Sequence, residues 1–424
     1  MPPSSPAQLG ISFYHAFVIP GPTGDLINRY PICIAPHKKA AMKVLIVCNN
    51  AYLRGNGICT AVLSLLGRLK GAGIDVRLMA CGNPDPQGEQ PDYSLEHFKI
   101  PIFEPIIHAN GFNFAKVDRN MISEAVAWAD VVHISEAFPL EAATVRIAKR
   151  AGTPCVGSFH MFSQNILANV GLRKAELLNA FITWLWKTTV YDYCTHIHCP
   201  TEPVRVHLAD SGYKSRLVMV SNGICISASP VIITEPQQDP VMILCTGRFS
   251  HEKSQEVLLE AMRHSKYADR IQLHFAGRGP LEGKYKRLAD KLVRDNILKY
   301  IPVFGFYSAE ELEALARRAY LYIHCAWVEV EGLSCVEALK EGAVPVIAKG
   351  PYTAAWRFAL DDRSIFPVFD AKALAARIDW WIEHPQERMR MGRVYAESIR
   401  KYDIEDSVGQ MIRMYQESID YERG

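Results

Sequence analysis

Residues Arg318–Gly342 read RAYLYIHCAWVEVEGLSCVEALKEG, and the fold turns on how this stretch divides. The first ten residues are an apolar run of the length expected for a strand buried on both faces. SCVEALKEG, from Ser334 to Gly342, looks like the opening of a helix. Between the two lies a short loop, and in α/β proteins such strand-to-helix loops sit outside the carboxyl ends of the strands, where ligands bind. The loop carries Glu329, and Glu337 follows eight positions later on the expected helix. Backbone amides at Gly332, Leu333 and Ser334 lie between these acids, at a helix N-terminus, which is a ready anion site.

The same alternation extends over most of the chain. KVLIVC, DVRLMAC, VVHIS, PCVGSFH and HIHCP read as strands of a first domain, with GICTAVLSLLGRLKGAG and PLEAATVRIAKRAG as helices. SPVIITEPQQDP then has linker composition. After it the strands resume as VMILCTGR, IQLHFAGRGP, KYIPVFGF, LYIHCA and VPVIAKG. Repeated βαβ units imply parallel sheets. The expected architecture is α/β, with two doubly wound Rossmann-like domains facing a cleft: residues 42–222, a linker 223–240, and 241–400. A helix over 401–424 is expected to pack back on the first domain. Residues 1–41 begin MPPSSPAQLG and lack the features of a signal peptide. They read either as a loose extension or as untranslated, with the true start at Met42; the second reading is favoured.

Composition narrows the function. The 424 residues are too many for one ordinary core. Forty-seven basic and 45 acidic residues leave a net charge of +2, which argues against a general nucleic-acid binder. Eleven scattered cysteines, an odd number, suit a reducing compartment better than a disulfide framework. CTHIHC invites a zinc reading, but in a strand His196 and His198 share one face while Cys194 and Cys199 point to opposite faces. No second ligand pair lies at finger-like spacing, so packed strand residues are expected and no metal.

The second domain opens with CTGRFSHEKS, placing Arg248 and Lys253 just after a strand. Two cations there suit a diphosphate, although taken alone they read more readily as a solvated loop. Carboxylates accept hydrogen bonds from sugar hydroxyls, which the cations cannot do. Together the two loops describe a nucleotide diphosphate sugar. In the first domain, Gly55-x-Gly57-x-x-Thr60 lacks the third glycine and the downstream acid of a dinucleotide fingerprint.

These motifs resemble those of the retaining glycosyltransferases of the GT-B fold, family 4. The resemblance rests on Glu329–VEGLSCV–Glu337, on GR…EK with Arg248 and Lys253, on AGRGP at Ala276–Pro280, and on SNGI at Ser221–Ile224. It implies that Glu329 contacts the donor hexose, Glu337 the ribose, and Arg248 and Lys253 the diphosphate. It also implies that the Gly57 loop closes over the diphosphate and that His160 stands near the reacting sugar carbon. Neither metal nor cofactor is expected, the nucleotide sugar being a co-substrate. Three positions depart from the pattern: Glu331 replaces an aromatic residue, which suggests a more acidic sugar pocket; Ser254 replaces a glycine; and Cys225 follows Asn222-Gly223-Ile224.

On the acceptor side, GLRKAELLNAFITWLWKTTVYDY carries apolar residues at helical spacing with cations around them. Periodicity alone suits an ordinary core helix. A looser similarity to the diacylglycerol glucosyltransferase branch instead implies a lipid acceptor. Arg173, Lys174, Trp184, Trp186 and Lys187 then become candidates for contact with an anionic membrane, on the cytoplasmic face and without a spanning segment. A soluble or polysaccharide acceptor, a nucleotide-sugar epimerase of the same fold, an NAD-dependent oxidoreductase and a non-catalytic membrane binder are the alternatives.

Overall fold

A computed structural model describes residues 42–53, 55–99, 113–226 and 239–423. The readings of residues 1–41 and of much of the linker therefore lie outside the described residues. The first half is built on a seven-stranded parallel sheet of order β3-β2-β1-β6-β7-β8-β9. Its strands are β1 (Lys43–Val47), β2 (Asp75–Cys81), β3 (Tyr93–Leu95), β6 (Val131–Ile134), β7 (Cys155–Ser158), β8 (His196–Cys199) and β9 (Arg216–Met219). Two short strands, β4 (His97–Phe98) and β5 (Phe114–Ala115), form a separate antiparallel pair.

The alternation of side chains across a strand explains why both faces of this sheet are apolar. Leu45 and Val47 of β1 enter one core with Met79, Val132 and Ile134. Val44 and Ile46 enter another with Leu78 and with Val408, Met411, Tyr415 and Ile419. Those last four belong to the helix Ile404–Arg423, so the C-terminal helix covers one face of the first sheet.

The second half carries a six-stranded parallel sheet of order β12-β11-β10-β13-β15-β17. These are β10 (Val241–Thr246), β11 (Ile271–Ala276), β12 (Val303–Gly305), β13 (Leu321–His324), β15 (Val344–Lys349) and β17 (Ile365–Pro367). Beside it β14 (Val328–Glu329) pairs with β16 (Tyr352–Thr353). Strands β10 and β13 are neighbours, with Ile243 opposite Leu321 and Leu244 opposite Tyr322. Strand order reverses between them. The crevice at that switch point is where such sheets take ligands, and the loops that follow β10 and β13 are the two charged loops.

Candidate functional site

Because β10 and β13 run side by side in parallel, their following loops emerge together. Arg248 and Lys253 follow β10; Glu329 and the helix Leu333–Lys340 follow β13. Lys253 Nζ donates to Glu329 Oε2 at 2.5 Å, with both side chains mostly shielded. His324 Nε2, at the end of β13, lies 3.2 Å from the same oxygen. Burial pushes the Glu329 carboxyl up, but Lys253 and then His324 outweigh it and hold it down at about 2. Arg248 Nη2 donates to Glu252 Oε1 at 2.6 Å. Burial also raises Glu252, and the Arg248 charge overcomes it, so this carboxyl stays below its usual value. Each cation of the site is thus held by a carboxylate, and both carboxylates are ionised near neutral pH.

Gly332 turns the chain into the helix. It has φ +87°, and a Cβ there would lie 3.0 Å from Ala355 Cβ and 3.5 Å from His324 Nε2. Glycine alone takes this conformation without strain. In the first turn the Cys335 amide donates to the Gly332 carbonyl at 2.8 Å, while the amides of Leu333 and Ser334 have no acceptor among the described residues and are free to meet a ligand. Ser334 Oγ bonds Tyr322 Oη at 3.1 Å, which fixes the first turn on β13. Glu337 is held by no hydrogen bond among the described residues. Its side chain is exposed, yet desolvation by neighbouring groups keeps its pKa above the ordinary value despite Lys340.

Glu331 corrects one expectation. It does not enlarge an acidic sugar pocket; it is buried and turned toward the first half. There Ser221 Oγ donates to Oε1 at 2.5 Å, Asn222 Nδ2 to Oε2 at 2.5 Å, and the Asn222 amide to Oε1 at 3.2 Å. Burial raises this carboxyl to about 7, although those bonds pull the other way.

The first half faces this site with its own loops. Asn56 caps the helix Gly57–Gly71 by accepting from the Ile58 amide at 2.9 Å. Gly57 begins that helix, and the space beside it is open. Gly55 stands across from the second half, its Cβ position 3.7 Å from Phe306 Cε2. His160 follows β7 and stacks edge-on against His198, ring centroids 5.7 Å apart. Burial, then His198 and His133, keep His160 neutral well below its ordinary pKa. Beneath it runs a buried chain: Tyr415 Oη to His133 Nδ1 at 2.7 Å, His133 Nε2 to Ser158 Oγ at 2.7 Å, Ser158 Oγ to His198 Nδ1 at 2.8 Å, and His198 Nε2 to the Val220 carbonyl at 2.6 Å. His198 is therefore engaged in hydrogen bonds, and no group of three or more potential ligands for a metal ion occurs among the described residues.

The candidate membrane residues separate. In the helix Glu176–Thr189, Trp186 is interior, packed edge-on to Phe138 at 6.1 Å, and cannot meet a membrane. Lys187 is tied to Asp192 at 3.1 Å, and Arg173 lies over the Phe369 ring at 4.6 Å. Of these three cations Lys187 is tied down, while Arg173 and Lys174 are both exposed. What faces outward is apolar: Leu177 is 90% exposed, Phe181 54% and Trp184 56%, with Leu178 and Leu185 beside them. A surface helix ordinarily turns its apolar stripe to the core; this one also presents apolar residues outward. No helix among the described residues is long and apolar enough to cross a membrane.

Residue reading overlooked Glu252, His324 and the Ser221–Asn222 seat of Glu331. Only Glu252 had a local signal, four residues after Arg248.

The family described as Glycosyl transferases group 1 matches residues 232–397, and Glycosyltransferase Family 4 matches residues 55–227. A phosphatidyl-myo-inositol mannosyltransferase of Mycobacterium leprae is 25% identical over 408 residues, covering 88% of this chain and 96% of that protein. Anabaena HepE, crystallised with UDP and glucose, superposes with a TM-score of 0.65 at 14% identity, covering 89% of this chain and all of that one. The catalytic domain of the Helicobacter pylori cholesterol-α-glucosyltransferase is 43% identical, covering 38% of this chain and all of that one, with a TM-score of 0.34.

Proposed function

We propose that this chain, which belongs to the family 4 glycosyltransferases of the GT-B fold, moves a hexose from a nucleotide diphosphate sugar to a lipid hydroxyl with retention of anomeric configuration. The observation that carries the reading is the meeting of Arg248, Lys253, Glu329 and the Leu333–Lys340 helix start at the switch point of the second sheet. Arg248 and Lys253 hold the diphosphate and, with the helix amides, stabilise the charge that develops on it as it leaves, commonly the largest single contribution to such a rate. For this, Lys253 exchanges its contact with Glu329 for the phosphates, and Glu329 is released to the hexose hydroxyls. Glu337, held by no side chain among the described residues, takes the ribose. His160 is neutral and hydrogen-bonds to the transferring sugar rather than neutralising charge. The acceptor oxygen attacks from the face the diphosphate leaves, and the departing phosphate takes its proton, so no protein nucleophile is required. UDP-glucose and UDP-galactose are the favoured donors.

Two observations support a lipid acceptor. The related M. leprae protein is named for a phosphatidylinositol substrate. The helix Glu176–Thr189 offers Leu177, Phe181, Trp184 and Leu185 to the outside, a face suited to the acyl–headgroup boundary of a bilayer. With Lys187 tied to Asp192, docking rests on apolar insertion, with exposed Arg173 and Lys174 beside it, at a membrane's inner surface. The test is incubation with a panel of UDP- and GDP-sugars and total lipid extract, followed by mass spectrometry and anomeric assignment by NMR. New α-glycolipids uphold the reading; transfer only to soluble sugars overturns the lipid acceptor, and donor epimerised without transfer overturns the reaction.

A further inference from the structure

Glu331 sits between the two features assigned to the donor, one residue before Gly332 and two after Glu329, yet all its hydrogen-bond donors come from the other half of the protein. In its ionised form, which burial confines to pH above about 7, the Glu331 carboxylate has four acceptor sites and no proton to offer. The turn after β9 supplies the complement: a hydroxyl from Ser221 and both the amide and side-chain NH2 of Asn222. The fit is specific in sign as well as in shape.

The turn itself is rigid. Gly223 has φ +73°, and its Cβ position lies 2.6 Å from Ile404 Cα, so no other residue fits under the start of the C-terminal helix. Ser221 Oγ also accepts from the Gly223 amide at 3.0 Å. On the downstream side, Ile224 donates to the Tyr402 carbonyl at 2.9 Å, and Ile404 donates to the Ile224 carbonyl at 3.0 Å. On the upstream side the buried chain ends on Val220. A carbonyl can only accept, so His198 Nε2 carries the proton and Nδ1 accepts from Ser158. His133 Nε2 then donates to Ser158, and its Nδ1 accepts from Tyr415. Every proton along this chain is fixed by its last acceptor, and both imidazoles are neutral, burial lowering His133 to about 3 and His198 to about 4. The chain nails the turn to β6, β7 and the C-terminal helix.

One further contact joins the same loop to the same half: Thr201 Oγ1 donates to the Val330 carbonyl at 3.0 Å. Trp327, Val328 and Val330 meanwhile belong to the first half's core.

We propose that Glu331 is a positioning residue: it docks the donor loop of the second half into the Ser221–Asn222 turn of the first, and this dock sets Glu329 and the Gly332 turn in their working places. The proposal rests on the reading of that loop as the donor site. It assigns the halves a shared part in catalysis, since a residue of the acceptor half, Asn222, holds the loop that meets the donor.

The test uses Asn222→Asp, which sets a carboxylate against Glu331, and the exchanged pair Asn222→Asp with Glu331→Gln, which restores one donor facing one acceptor. In the full chain without ligand, amide hydrogen exchange over 328–336 is expected to rise about tenfold or more in Asn222→Asp and to return toward wild type in the double variant. With donor sugar, turnover is expected to fall about thirtyfold in the single variant, with the calorimetric dissociation constant for UDP or GDP altered less than about threefold, and to recover in the pair. Unchanged exchange and turnover in Asn222→Asp overturn the dock, as does a double variant no better than the single one while both keep the wild-type thermal midpoint. If neither UDP nor GDP binds the wild type, the donor reading is what fails, and the exchange measurement still judges the dock by itself.

Discussion

Replacing Lys253 by Met removes one cation from the site and leaves Glu329 without its closest partner. The fall of the Glu329 carboxyl from 4.5 to about 2 corresponds to about 3 kcal/mol in favour of its ionised form. Burial opposes that fall; the Lys253 charge is the largest favourable influence and His324, at 3.2 Å against 2.5 Å for Lys253, adds to it. Two consequences follow from the one pair. In folding, a carboxyl whose pKa is depressed lends stability that is present above pH 4.5 and lost as pH falls toward 2. The variant is expected to lose about 2–4 kcal/mol near neutrality and to show a flatter acid limb, because the contribution that acid would remove has already gone. In catalysis, kcat/KM for the donor is expected to fall by the equivalent of about 2–4 kcal/mol, as a diphosphate contact that tightens on leaving is lost. Thermal denaturation from pH 2 to 7 reads the first effect and initial rates read the second. A variant with the wild-type acid limb and kcat/KM within threefold of wild type would refute the reasoning.

Other substitutions separate the remaining roles. Glu337→Gln is expected to weaken donor affinity with little change in kcat, since a ribose contact is common to ground and transition states; Glu329→Gln should lower kcat more, and the reverse order in steady-state kinetics would exchange the assignments. Glu331 works against the pH trend of Glu329: its pKa is raised from 4.5 to about 7, so its share of stability is full below pH 4.5 and lost as pH rises through 7. Glu331→Gln should therefore flatten the change in thermal midpoint between pH 5 and 8. On the exposed helix, Phe181→Asp with Trp184→Asp should abolish sedimentation with vesicles and leave the thermal midpoint nearly unchanged. Trp186→Ala, one turn face away, should instead cost about 3–5 kcal/mol of stability.

Much of this was legible in the sequence, and the reasons are particular. Strands β1, β10, β13 and β15 are buried on both faces and announce themselves as unbroken apolar runs. Strands β3, β9 and β17 went unread. They lie at sheet edges and are short, and β9 has no buried residue at all. Edge strands carry little of the apolar signal that marks central ones. The charged loops could be placed because loops after adjacent parallel strands must emerge together. What they pair with could not. Glu331 meets Asn222 across 109 positions, a distance that local pattern does not bridge. His324 was lost inside LYIHCA because a buried histidine in a strand reads as one more packed residue. Trp184 and Trp186 were grouped together, although at about 100° per residue they point about 160° apart and only one could face inward. The outward apolar face is the reverse of the usual pattern, so periodicity found the helix and not its direction.

The proposed mechanism stands on binding of a nucleotide diphosphate sugar by the loops after β10 and β13. Crystals grown with UDP-glucose test it most directly. Diphosphate density is expected within hydrogen-bond reach of Arg248, Lys253 and the first amides of Leu333–Lys340, with Lys253 Nζ moved off Glu329 and the hexose beside that freed carboxylate. Nucleotide lodged elsewhere with the Lys253–Glu329 pair intact would contradict it.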